Sequence, residues 1–164
     1  EKLKMKIRTL LIAAGLLLGA SWGSVQAETA AASVTVSEAY ARAVPPGQPN
    51  SASFMVLKNA AAVDHALVGA QSDAAATVEL HTHSMKDGMM QMRRVQKIDI
   101  PAGAETRLQP GGLHVMLIDL KGDLKPGDEL TLNLQFEDGS MLEVAAPVRK
   151  LQMKMMKHGG KMMH

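Results

Sequence analysis

The sequence predicts an all-β domain, a Greek-key β-sandwich, followed by a flexible Met/His-rich C-terminal tail. Short alternating or apolar segments, bounded by Gly, Pro, Asn and Asp, recur about every ten residues through the middle of the chain. No segment there carries the apolar stripe and caps of a helix. This many short strands in about 120 residues favours a sandwich over a barrel or a propeller, and the lack of a repeat of about 20–50 residues disfavours a solenoid.

The first 27 residues are expected to form a secretory signal peptide, cleaved after Ala27. Basic residues flank an apolar run over residues 10–20, and residues 25–27 form a small-x-small cleavage signal. A membrane anchor is the alternative, but the run has about half of the roughly 20 residues that a span requires. We therefore expect an exported protein with no membrane span after cleavage. The small and polar residues 28–33 are expected to be a flexible lead-in to the domain.

Ten strands are predicted over residues 34–148. The clearest is the segment 129–136, in which apolar and polar residues alternate. Turn residues join it to the last segment, so these two strands are expected to pair as a hairpin. Aromatic residues are few, so the core is expected to consist of Val, Leu, Ile, Met and Ala, with Met55 and Met141 among the core methionines. The predicted strands are 34–41, 52–58, 66–72, 77–83, 89–95, 98–100, 106–109, 115–120, 129–136 and 142–148.

Composition and charge exclude several classes of function. The chain contains no cysteine, which excludes a disulfide, a thiolate nucleophile and a blue-copper centre with its Cys ligand. Without residues 1–27 the chain is close to neutral and has no Arg-rich stretch with interleaved aromatic residues, so we expect no nucleic-acid partner. No Ser-His-Asp arrangement and no pair of carboxylates suited to acid–base chemistry is apparent, so we do not expect an enzyme.

Four donor residues on three of the predicted strands indicate a metal site. His81 and Met92 are separated by ten residues, and His114 and Met116 follow after a further 21. Residues two apart in a strand share a face, so His114 and Met116 can bind one ion side by side while Val115 faces the core. Imidazole and thioether donors fit Cu(I) far better than Mg(II) or Ca(II), and thioethers disfavour Zn(II). The residues alone therefore predict a copper site, with chance occurrence or Zn or Ni binding as the alternatives.

Three further candidate donor residues lie between His81 and Met92 in the sequence. His81, His83 and Met85 share one face of their predicted strand, and Met90 shares a face with Met92. His83, Met85 and Met90 are therefore candidate auxiliary ligands, and Met90 is the first alternative to Met92 as a sulfur donor.

The spacing His81-x10-Met92-x21-His114-x-Met116 resembles the full motif of the periplasmic PCuAC-type copper chaperones. Residues 78–81 and 111–116 also look like that family's characteristic surroundings, and the resemblance covers residues 34–148. It implies a cupredoxin-like β-sandwich in the periplasm that binds one Cu(I) through two His and two Met. It further implies delivery of the ion toward the CuA centre of cytochrome c oxidase, either to subunit II or through another copper chaperone.

Two alternatives remain open at the level of the sequence. The first is a periplasmic storage or detoxification protein that buffers copper without a dedicated acceptor. The second is an adhesion or scaffold domain that binds no metal and uses its methionines for packing or as targets of oxidants. Failure to transfer copper favours the first, and a metal affinity that does not depend on His114 and Met116 favours the second.

The tail, residues 149–164, is a separate feature. Seven Met and His residues lie there among lysines and glycines, a composition that cannot build a core and that predicts disorder. Some members of the PCuAC-type family resemble this chain in carrying Met/His-rich extensions that hold additional copper. We therefore expect an auxiliary site for Cu(I), or for Cu(II) through the imidazoles. Its candidate ligands are Met155, His158, Met162 and His164.

Overall fold

The computed structural model describes residues 27–151, and each of the ten predicted strands is present. The largest difference in extent is at β4, which continues past the predicted residue 83 because it stays paired with β5 as far as Lys86 and Met89. The predicted hairpin of the last two strands is confirmed by their antiparallel pairing. The elements are α1 (Ala30–Ser33), β1 (Val34–Arg42), β2 (Ser51–Asn59), β3 (His65–Gln71), β4 (Ala75–Lys86), β5 (Met89–Arg94), β6 (Ile98–Ile100), β7 (Glu105–Leu108), β8 (His114–Leu120), β9 (Glu129–Phe136) and β10 (Met141–Arg149).

The strands form one continuous sheet that folds over on itself. Strands β5, β4, β8, β2 and β1 follow one another in hydrogen-bonded order, with β7 also paired to β2, and β10, β9, β3 and β6 continue the order. The two halves are joined by a short parallel pairing of β1 with β10 at Ala41↔Val148 and Arg42↔Arg149. Although β3 and β4 lie near opposite ends of this order, they contact each other. The predicted all-β, cupredoxin-like fold is therefore confirmed.

The core lies between the two halves and is almost entirely aliphatic. Its largest fully buried side chains include Phe136, Leu57, Leu117 and Met55, so the prediction that Met55 packs inside is confirmed. The same prediction was wrong for Met141, which is 49% exposed. It begins β10, where the exposure pattern alternates, and it occupies an outward position.

The segment 28–33, expected from the sequence to be a flexible lead-in, instead contains the short helix α1. Ala30 is fully buried, and its N–H donates to Asp138 Oδ2 at 2.7 Å. Bonds from the Ser140 hydroxyl and the Ala30 N–H lower the pKa of Asp138 to about 2. This partner is 108 positions away in the chain, so the small and polar composition of the segment gave no sign of the contact.

Other predictions for the two ends of the chain fall outside the described residues. These are the signal peptide, apart from Ala27, and most of the Met/His-rich tail. Within residues 27–151, no helix is long and apolar enough to cross a membrane.

Candidate metal centre

The candidate site lies on one face of the neighbouring strands β5, β4 and β8. The register places His83 opposite Met92 and His81 opposite His114. It also places Met116 opposite Glu79 on the same face. Side chains directly opposite each other in an antiparallel pair have Cβ atoms about 4.5–5.5 Å apart. All four residues of the spacing pattern are therefore on adjacent strands, but the cross-strand partner of Met92 is His83 rather than His81.

A cavity of about 130 Å³ opens on this face. Three of the four predicted ligands line it, and the fourth donor in its wall is His83. His81 lies beside the cavity, with its ring centroid 5.8 Å from that of His114, whereas the His83 centroid is 5.2 Å from His114. The lining residues are Arg42, Ala52, Phe54, His83, Met92, Pro110, Gly111, His114 and Met116.

His114 is the most deeply placed donor. It is 2% exposed, and its Nδ1–H donates to the carbonyl oxygen of Gly112 at 3.0 Å. This bond fixes the orientation of the ring. It leaves the unprotonated Nε2 available to bind a metal ion. Burial lowers the pKa of His114 below its ordinary value, although the bond to Gly112 acts in the opposite direction. The imidazole consequently stays neutral to a lower pH, which is the form that binds a metal ion.

His81 is held by a carboxylate. Its Nε2–H donates to Glu79 Oε2 at 2.7 Å, and Arg94 lies 3.4 Å from the other carboxylate oxygen. The hydrogen bond from His81, with the charge of Arg94 as a smaller contribution, lowers the pKa of Glu79, so the carboxyl is ionised at neutral pH. A carboxylate on one imidazole nitrogen is the usual way to orient a histidine whose other nitrogen binds a metal.

Two buried imidazole nitrogens at the site lack a hydrogen-bond partner among the described residues. They are Nδ1 of His81 and Nδ1 of His83. Buried polar atoms are almost always paired, so an unpaired one requires an explanation. Both rings lie next to the ring of His114. An ion bound among these three rings would satisfy the unpaired nitrogens.

The sulfur donors differ in accessibility. Met116 is half-buried in the middle of the sheet, whereas Met92 on the edge strand is 48% exposed. Met85 and Met90, which were expected as auxiliary donors, do not line the cavity and lie further along the hairpin at 64% and 61% exposure. The auxiliary ligands expected in the tail, His158, His164, Met155 and Met162, lie outside the described residues.

Sequence reasoning missed three residues that shape the site. Glu79 is two residues from His81 and shares its strand face, a local signal that could have identified it. Arg42 and Phe54 come from β1 and β2 and reach the cavity only through the pairing of those strands with the rest of the sheet. No local pattern in the sequence points to them.

A family model and curated relatives match this chain. The family is described as LpqE-like, and its model matches residues 34–148. The protein Lxx21020 of Leifsonia xyli subsp. xyli, named as a lipoprotein, is 38% identical over 117 residues, which are 71% of this chain and 69% of that protein. The protein RP573 of Rickettsia prowazekii is 32% identical over 92 residues, covering 56% of this chain and about half (51%) of that protein.

Solved structures are also similar to this chain. Apo-DR1885 from Deinococcus radiodurans is 34% identical with a TM-score of 0.58, over 91% of this chain and 97% of that one. The CuI-DR1885 structure from the same organism is 33% identical with a TM-score of 0.55, over 80% and 85%. The copper-bound PCuAC domain from PmoF2 has a TM-score of 0.63 over 75% of this chain and 97% of that domain, and at 23% identity it shows a shared fold.

Proposed function

The chain belongs to the LpqE-like family, and we propose that it is a copper chaperone that binds Cu(I) and passes it to another protein. The resemblance to PCuAC-type proteins predicted from the motif is confirmed at the level of the family and the fold. The observation that carries the proposal is the cavity in which Met92, His114 and Met116 converge beside two imidazoles with unpaired buried nitrogens. Two of the similar solved structures are named as copper-bound forms.

The donor chemistry supports Cu(I) as the cargo. Thioether sulfur is a soft, neutral donor that selects Cu(I), and imidazole completes such a set without adding negative charge. The site allows two ligand sets that differ only in one imidazole. Met92, Met116 and His114 are common to both. The second imidazole comes from His81, which completes the spacing pattern, or from His83, which lines the cavity.

The same geometry suits transfer rather than catalysis. His114 and Met116 hold the inner side of the ion, while Met92 on the edge strand is open to solvent. An acceptor's ligands can approach from the exposed side and displace Met92 while His114 and Met116 are still bound to the ion. No bond of a substrate is made or broken in this exchange, so the proposed role is not enzymatic. The predicted signal peptide and the lipoprotein name of a relative support export, and we place the function in the periplasm.

We predict that the Cu(I)-loaded protein transfers its ion to the soluble domain of cytochrome c oxidase subunit II. Transfer requires that the acceptor bind Cu(I) more tightly than this site does, and the site's uncharged thioether and imidazole donors make no charge-assisted bond that would oppose release of the ion. Copper is measured in each protein after anaerobic mixing and separation. Delivery of the same amount of Cu(I) from a small-molecule complex is the control, and we expect the protein to transfer faster.

Copper that stays on the protein while the acceptor remains empty would contradict delivery to CuA. Binding of Cu(I) without transfer would instead support the alternative, a periplasmic storage or detoxification protein. That outcome would contradict delivery to CuA but not the Cu(I) site.

We also predict that deletion of residues 150–164 lowers the number of copper ions bound without unfolding the domain. The last strand, β10 (Met141–Arg149), ends before the deletion, so the core keeps all its strands. Metal analysis and urea unfolding of the full and shortened chains test this. A matched control keeps the tail length but replaces its Met by Leu and its His by Asn, and it should behave like the deletion. An unchanged copper stoichiometry would contradict the auxiliary site.

A further inference from the structure

The hairpin of β4 (Ala75–Lys86) and β5 (Met89–Arg94) exposes an unusual number of methionines. Four of the seven exposed large hydrophobic residues in the described chain lie on it. Every residue of β5 is exposed, so these side chains contribute little to the core. Scattered exposed apolar residues are ordinary, but a cluster on one element usually marks a site of interaction. The four are Met85, Met89, Met90 and Met92.

The turn of this hairpin fixes which methionines meet. Asp87 and Gly88 both have positive φ, 52° and 76°, as in a two-residue type I′ turn, which matches the twist of the flanking strands. The resulting register sets Met85 directly opposite Met90 and His83 directly opposite Met92. Both pairs lie on the face of the sheet that carries the cavity. Met89 is opposite Lys86 and therefore lies on the other face.

The two cross-strand pairs are consecutive along the hairpin. Strand residues two apart are separated by about 6.6 Å at a rise of about 3.3 Å per residue. A methionine side chain has three rotatable bonds and can swing its sulfur over a distance of this order. Donors are therefore stacked from the exposed end of the hairpin, through His83 and Met92, to the buried His114.

We propose that Met85 and Met90 form a second Cu(I) site outside the cavity, which takes up and releases Cu(I) for the cavity site. This inference rests on the proposed copper-handling function. Thioethers are soft donors that select Cu(I), and the pairing of Met85 with Met90 places two of them side by side. With fewer donors and greater exposure to solvent, this outer site binds more weakly than the cavity. That difference drives the ion inward during uptake.

Movement between the sites is ligand exchange at a constant oxidation state. The bonds from Cu(I) to the sulfur atoms of Met85 and Met90 break as bonds to the sulfur of Met92 and to an imidazole of the cavity site form. No electron is transferred, because Cu(I) keeps its oxidation state and only its neutral donors are exchanged. Release follows the same steps in reverse, with an acceptor's ligands taking the ion at the outer site.

The full-length chain, with its methionine methyl groups labelled with ¹³C, is titrated anaerobically with Cu(I) and followed by NMR. Single Met→Leu variants assign the signals, which separates the hairpin from the tail. We expect the methyl signals of Met85 and Met90 to shift at a higher ratio of Cu(I) to protein than those of Met92 and Met116. In the variant M85L/M90L we expect the cavity signals to shift as before, but uptake of Cu(I) from a competing chelator to slow several-fold. M89L, a matched exposed change on the opposite face, should take up Cu(I) at the normal rate.

Met85 and Met90 signals that never shift, or unchanged uptake by M85L/M90L, would overturn the outer site. An apolar docking surface for an acceptor is the competing interpretation. Leu keeps the apolar surface, so normal uptake and transfer by M85L/M90L together with slow transfer by M85S/M90S would establish docking and reject the site. Failure of the proposed function looks different. In that case the signals of Met92 and Met116 do not respond to Cu(I), whatever the outer pair does.

Discussion

Replacing both His114 and Met116 by Ala is expected to abolish tight Cu(I) binding by the domain. Loss of residues that merely support a metal ligand weakens metal affinity about 10–100-fold, so loss of two direct ligands should exceed about 100-fold. A competition titration under reducing, anaerobic conditions on residues 28–149, intact and doubly substituted, measures the effect. This segment contains every described strand and omits nearly all of the Met/His-rich tail. One tight equivalent should be present in the intact domain and absent from the variant.

Two controls separate ligand loss from damage to the fold. Because His114 is buried, its removal leaves a small cavity, so unfolding by urea is measured alongside copper binding. Met116→Leu keeps the volume and removes only the sulfur, and it should weaken binding without a large loss of stability. Met141→Ala removes an exposed methionine far from the motif and should leave affinity unchanged. Equal binding by the intact domain and the double variant would contradict the site and favour a scaffold that binds no metal.

The same titration identifies the second imidazole. If His81 is the ligand, His81→Ala weakens binding, and Glu79→Gln does so to a smaller degree because the carboxylate orients the ring. If His83 is the ligand, His83→Ala is the damaging change and Glu79→Gln has little effect. The unpaired Nδ1 atoms of both rings make a site with three imidazoles the third outcome, in which each single change weakens binding.

Asn59→Ala is expected to destabilise the fold strongly without touching the metal site. Asn59 is fully buried at the end of β2, and its side chain makes three hydrogen bonds of 2.8–2.9 Å, donating to the carbonyls of Val63 and Ile100 and accepting from the N–H of Ala61. Truncation leaves the carbonyl of Ile100 unsatisfied in the interior and also removes the two part-buried bonds to Val63 and Ala61. At about 1–3 kcal/mol for a buried unsatisfied group, we expect the free energy of unfolding to fall by about 2–4 kcal/mol.

Urea unfolding of the segment 28–149 measures this change. The matched control is Asn50→Ala, which removes an exposed side chain that accepts one hydrogen bond, from Asp119 N–H at 3.2 Å. Surface changes of this kind usually stay within about 0.5 kcal/mol. A loss below about 1 kcal/mol for Asn59→Ala would show that water or a shift of the loop replaces the lost hydrogen bonds.

The positions of the ten strands could be predicted because their signals are local. Alternation of apolar and polar residues has a period of two, and turn residues act over two to four positions, so both can be read along the chain. The hairpin of β9 (Glu129–Phe136) and β10 (Met141–Arg149) is the clearest case, since its turn residues lie directly between the two strands. The family and its fold also followed from the linear spacing of His81, Met92, His114 and Met116.

The strands, the family and the kinds of donor could be inferred from the sequence, whereas which donors meet depends on how the strands pair in the folded chain. The spacing pattern groups His81 with Met92, whereas the register pairs Met92 with His83 and ties His81 to Glu79. Likewise, the N–H of Ala30 donates to Asp138, which is far along the chain. A strand's face can be read from its own residues. Its partner and register depend on packing against segments tens of residues away, and no local pattern contains that information.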